Sequence, residues 1–189
     1  MYTRPENYSK TPSPNIATIN SILDEQNECL KIINNRLGTG FNSEFSVYLF
    51  NYDEAKGKIG TNSGGFAISR KRVIYYTYND GAKKDNNGNP VYLGKHELAH
   101  LVTTKEFGRS NLRLMGEGYA VCLSGNYGRE RLSNGEIVGR SIEKWMKEYV
   151  STDKILKPSQ MINGRDIPES LFYPQAGFFI SWLFDNYGS

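Results

Sequence analysis

The chain has 189 residues, 38% of them hydrophobic and 13% aromatic, which fits one globular domain with a real core and excludes a disordered chain. Its formal net charge of +3 is mild and no long basic run occurs, so composition gives no reason to expect a nucleic-acid binder. No stretch reaches the apolar length needed to span a bilayer.

Residues 1–14 are polar, carry Pro5, Pro12 and Pro14, and read as an irregular lead-in with one sequon at Asn7. They hold no apolar signal core, so the chain reads as cytoplasmic, or as exported with a leader removed. From about Asn15, Ile16, Ile19, Leu23, Leu30, Ile33 and Leu37 recur in steps of three, four and seven. That spacing predicts an amphipathic helix ended by Gly38.

Residues 45–52 are short and rich in aromatic and apolar side chains, the pattern of a strand. The glycine-rich run at 60–65 lacks the Gly-Lys-Ser/Thr of a phosphate loop and the spacing of a dinucleotide fingerprint, so no nucleotide site is expected. Residues 65–69 and 73–78 then read as two strands joined at Arg70-Lys71-Arg72. Residues 79–89 are an exposed loop by composition, and Asn89-Pro90 has the form of a helix start. The predicted helix runs from there to Phe107, with Leu93, Leu101 and Val102 on its buried side and Gly108 as its stop.

That helix holds both histidines of the protein, in His96-Glu97-Leu98-Ala99-His100. Residues four apart lie one above the other on a helix, so both imidazoles can aim a nitrogen at one point, as two ligands of a zinc ion must. Glu97 stands one residue round the helix, close to that point without needing to bind there, which suits a base acting on water. After a spacer over 101–116 comes Met115-Gly116-Glu117-Gly118-Tyr119-Ala120. The spacer is long enough for a loop and a returning helix, here expected over 115–124. Glu117 then supplies the third protein ligand that a catalytic zinc site uses. Small Gly118 and Ala120 are expected to let this helix pack close to the zinc helix.

The pattern His96-Glu97-x-x-His100 with Glu117-Gly118-x-Ala120 resembles the gluzincin metallopeptidases, most closely the branch with aminopeptidase N and small bacterial relatives. Phe172-Tyr173-Pro174-Gln175-Ala176-Gly177 is similar to a segment of that branch whose tyrosine hydroxyl stabilises the oxyanion. The resemblance covers about residues 45–187. It implies an α+β fold, a single zincin-like metallopeptidase domain over 15–189. In that fold a small, twisted, mostly antiparallel sheet packs on the zinc helix and a helical half follows. It implies one Zn2+ per chain on His96, His100 and Glu117, with Glu97 as general base and Tyr173 as oxyanion donor. The partner is a peptide or protein substrate. Gly65, Phe66 and Ala67 form a candidate sheet edge on which such a chain pairs. The chain has no Gly-Ala-Met-Glu-Asn segment for gripping a free amino terminus, which favours endopeptidase action. Met115 stands where an aromatic residue is usual. The competing readings are a zinc-containing peptide-binding scaffold of the same fold without turnover, and a helical domain with a chance motif.

Residues 126–138 are polar, with several arginines and glycines, and no element is assigned to them. Ile142, Trp145, Met146 and Tyr149 predict another amphipathic helix, and Pro158 and Pro168 bracket a segment of about one helical turn. The last helix, about 174–187, is apolar nearly all round and is expected to be buried, with Tyr173 at its start. Tyr119 is the competing tyrosine, expected to pack. Cys29 and Cys122 are left open as a pair or as two thiols.

Overall fold

The computed structural model describes residues 16–50, 65–77, 94–135 and 137–188. The expectations for residues 1–15, for 79–89, for Leu93 and for a helix start at Asn89-Pro90 fall outside them. The fold is α+β, as expected. In chain order it runs α1 (Ile16–Leu37), β1 (Ser46–Phe50), β2 (Gly65–Ile68) and β3 (Val73–Thr77). Next come α2 (His96–Phe107), α3 (Arg113–Ser124), β4 (Asn126–Arg131), β5 (Ile137–Ser141) and α4 (Ile142–Ser151). Short α5 (Pro158–Met161) and long α6 (Glu169–Tyr187) close the chain. Among the described residues no helix is long and apolar enough to cross a membrane.

The first sheet has the order β1-β3-β2. It is mixed rather than mostly antiparallel, because β1 runs parallel to β3 while β2 runs antiparallel to it. A parallel neighbour needs a crossover rather than a tight hairpin, and no residue pattern within β1 announces its direction. Side chains alternate on β3 as a strand's period of two requires. Ile74 and Tyr76 are buried in the core with Leu98, Ala99, Leu101 and Val102 of α2. On the other face Tyr75 stacks between Tyr48 and Phe66. A 3-10 turn over 69–71 joins β2 to β3 with Arg72 in the left-handed region, and the Ser69 hydroxyl donates to His100 O at 3.2 Å. The sheet corner is thereby tied to α2.

Helix α1 buries Ile22, Cys29, Ile33 and Leu37, while Leu23 is 43% exposed, so its inner face is rotated from the predicted one. The reason is polar. Gln26 lies on that face, accepts from the Tyr76 hydroxyl at 3.1 Å and donates to Gly94 O at 3.3 Å, and Glu25 accepts from Gly94 N at 3.1 Å. A buried amide is tolerated when it is hydrogen-bonded in this way. Two of these bonds clamp Gly94, two residues before His96. Gly94 is at φ 80, outside the helical region, and Lys95 is the N-cap, its carbonyl accepting from Ala99 N at 2.8 Å, so α2 begins at His96.

Helices α3 and α6 pack closely at two glycines. A Cβ on Gly118 would meet Ile180 Cγ1 at 2.8 Å and Ala176 O at 3.1 Å, and one on Gly177 would meet Val121 Cβ at 2.8 Å and Cys122 N at 3.2 Å. Gly118 thus serves the contact with α6, not the contact with α2 that its small size first suggests. Overpacking at such a contact costs about 1–3 kcal/mol, and alanine returns up to about 1 kcal/mol of helix propensity. Gly177→Ala should therefore lower the denaturant midpoint, with a net loss of about 1–2 kcal/mol. Gly116 on α3 has nothing within 4 Å of an added Cβ, so Gly116→Ala should raise the midpoint. Urea titrations of both variants check the opposite signs. Equal shifts would mean that α3 and α6 do not meet as described.

Residues 126–141 form a hairpin with a register shift between Asn126 and Arg129, where no element was expected. Helix α4 spans its predicted residues, with Ser141 capping Lys144 N. Helix α6 begins at Glu169, five residues before the expected start, and Pro174 lies inside it. Proline has no N–H for the carbonyl four residues back, and the Tyr149 hydroxyl donates to that carbonyl, Ser170 O, instead. Gln175 is buried on the same turn, held by Leu156 N at 2.7 Å and by Lys154 O at 3.0 Å. Not all of α6 is buried: Phe178, Trp182 and Tyr187 are exposed. Neither Cys29 nor Cys122 is in a disulfide.

Candidate metal centre

Helix α2 turns Leu98, Ala99, Leu101 and Val102 inward and leaves His96 and His100 on a half-buried face one turn apart. Helix α3 brings Glu117 to the same place. The two Nε2 atoms are 3.2 Å apart, and each lies 3.3 Å from Glu117 Oε2. Four ligands around a tetrahedral cation at about 2.0–2.1 Å stand about 3.3–3.4 Å from one another. The three predicted ligand atoms have that spacing. Glu117 Oε2 is buried and makes no hydrogen bond of normal geometry despite its two close nitrogens. The three atoms lie close enough together to share one cation, which would satisfy all three. The donor set, two imidazoles and a carboxylate, suits zinc.

The electrostatics agree. Burial works against a charge on Glu117, but the two imidazoles beside it outweigh burial and hold its carboxyl well below the usual range. Burial likewise disfavours a charge on His100, and the Glu117 carboxylate overrides it. Glu97 points to the same cleft and is not one of the converging three. Burial lifts its carboxyl above the ordinary value, opposed by His96 and His100 and by a backbone hydrogen bond from Ala67. A Cβ on Gly65 would come within 3.0 Å of Glu97 Cγ, so the absence of a side chain at residue 65 makes room for the Glu97 stem.

The cleft has a volume of about 1420 Å³. Gly65, Phe66 and Ala67 line one wall on β2, which is an edge strand among the described residues. Tyr173 stands on the opposite side, its ring edge-on to His96 at 6.0 Å and stacked on Tyr127 at 5.0 Å. Its hydroxyl is pushed up to about 12 by burial and by Glu117, against the pull of Arg113, so it remains a neutral donor at ordinary pH. Tyr119 packs between Phe107 and Phe184, as expected.

Two contributors were not anticipated. Arg113 donates to Gly164 O at 2.6 Å and spreads its guanidinium over Phe172 at 4.4 Å and Tyr173 at 5.3 Å. It stands four residues before Glu117, one turn away on the same face, and that spacing was the available signal. The Gln26–Tyr76–Gly94 clamp gave no signal, since its members are far apart in sequence.

No family model matches the chain, and no curated protein and no solved structure matches it significantly.

Proposed function

We propose that the protein is a zinc-dependent peptidase that hydrolyses peptide bonds within a single gluzincin-like domain. The observation that carries the reading is the triangle of His96 Nε2, His100 Nε2 and Glu117 Oε2 at 3.2–3.3 Å, with a second half-buried carboxylate, Glu97, lining the same open cleft. A structural zinc site is closed by four protein ligands, whereas three leave one position for chemistry. Zinc held there would supply Lewis acidity, lowering the pKa of bound water to about 7 and polarising a carbonyl.

The chain's own residues do the rest. Glu97 takes the proton of the attacking water and passes it to the leaving amine. Tyr173 donates its hydroxyl to the oxygen that becomes negative. Ala67 N–H steadies the Glu97 carboxylate, and Gly65 leaves room for its stem. An extended peptide lies along β2, where main-chain pairing holds any sequence.

Elemental analysis of the purified protein should find one zinc per chain, and His100→Ala should bind little. Cleavage of a mixed peptide library should stop with a chelator and return with zinc. A metal-free protein that cleaves as well as the loaded one would sink the reading.

A further inference from the structure

The cleft is strongly one-signed. Among the described residues, Arg70, Arg72, Lys105, Arg109, Arg113 and Arg165 line it, and the lining carboxylates are Glu97 and Glu117. Six cations less two carboxylates leave +4, more than the +3 of the entire chain. Arg113 is committed to Gly164 O and to the rings beside it. The other five are exposed, and none has an ion-pair partner among the described residues. Four of them gather at one end. The Ser69–His100 bond draws the turn bearing Arg70 and Arg72 against the later half of α2, which carries Lys105 and gives way to Arg109.

We infer that the cleft selects acidic peptides, whose Asp and Glu side chains sit against Arg70, Arg72, Lys105, Arg109 and Arg165. The inference rests on the peptidase reading for the kind of chain that occupies the cleft. Pairing with β2 through main-chain groups is indifferent to sequence, so choice among peptides falls to side chains on the walls. One exposed ion pair contributes little. Five like charges around a recess with protein walls focus a field, raising both the encounter rate and the local concentration of an anionic partner. A nucleic acid is the other polyanion that a basic groove attracts, but a strand edge beside a hydrolytic His-His-Glu cluster fits a peptide main chain.

The test uses the Glu97→Gln protein, which holds peptides without turning them over. Labelled peptides of equal length, rich in Glu, Gln or Lys, and a single-stranded oligonucleotide are titrated against it. The Glu peptide should bind about tenfold or more tighter than the Gln peptide. The difference should shrink as salt rises from about 0.01 M to about 1 M. Arg70→Glu with Arg109→Glu should erase the preference, while Lys147→Glu on exposed α4 should leave it, with melting and zinc content checked for each. Equal binding of all three peptides, equal loss in the Lys147 control, or an oligonucleotide that displaces the Glu peptide would each overturn the inference. Wild-type protein separates this from the broader reading. Cleavage of all three peptides at one kcat/KM removes the acidic preference and keeps the peptidase. Selective binding of the Glu peptide with no cleavage of any removes the peptidase and keeps the acid-selective groove.

Discussion

Glu97→Gln should reduce kcat/KM by at least about 100- to 10,000-fold, the scale of a lost general base, and leave zinc content at one per chain. The two halves of the expectation come from different atoms. Glutamine keeps the stem that fills the space over Gly65 and keeps an oxygen to accept from Ala67 N–H, so the wall of the cleft is undisturbed. What it lacks is the capacity to take a proton. The proposed metal-binding set is His96, His100 and Glu117, and none of these changes. His100→Ala is the contrast: it removes one corner of a triangle with 3.2–3.3 Å sides, and zinc and activity should fall together. Measurement of metal content alongside steady-state rates distinguishes the roles. A Gln variant with near wild-type turnover would show that Glu97 is not the base, and one that loses zinc would show that it is a ligand.

Local periodicity made the meeting of the two histidines legible. His96 and His100 are one turn apart, and their convergence follows from helix geometry alone. Glu117 was legible as a spacing after a loop, with its partners on another helix. Where the elements meet was much less legible. Gly118 and Gly177 sit in two segments picked out for chemistry, yet each is needed where α3 touches α6, and small size does not say which neighbour it serves. The parallel pairing of β1 with β3 is a property of the chain path, which no strand encodes by itself. The β4–β5 hairpin was missed although Asn134-Gly135, a strong turn dipeptide, lies between its strands. In β4 only Tyr127 is aromatic or β-branched, among Asn, Gly, Arg and Glu, and in β5 only Ile137 and Val138 are, too few to mark a strand. The inner face of α1 was misplaced because hydrophobic steps cannot see that Gln26 is buried by its bonds to Tyr76 and Gly94.

Tyr173→Phe should lower kcat by about 100- to 1,000-fold, the cost of one oxyanion donor, with KM and zinc content nearly unchanged. The ring is held without its hydroxyl: it stacks on Tyr127 and meets His96 edge-on, and Arg113 lies across it. The glycine contact between α3 and α6 fixes the helix that bears Tyr173 against the helix that bears Glu117, so the ring is set by packing on both sides of the cleft. Phenylalanine preserves that packing, and the thermal midpoint should stay close to wild type. A bond made mainly in the transition state appears in kcat rather than in KM. The hydroxyl stays protonated up to about 12, so its contribution should not titrate across the neutral range, and the wild-type to Phe ratio of kcat should be flat there. A stability loss that accounts for the drop in rate would return Tyr173 to a packing role. A ratio that varies with pH through neutrality would point to a proton-transfer partner instead of a fixed donor.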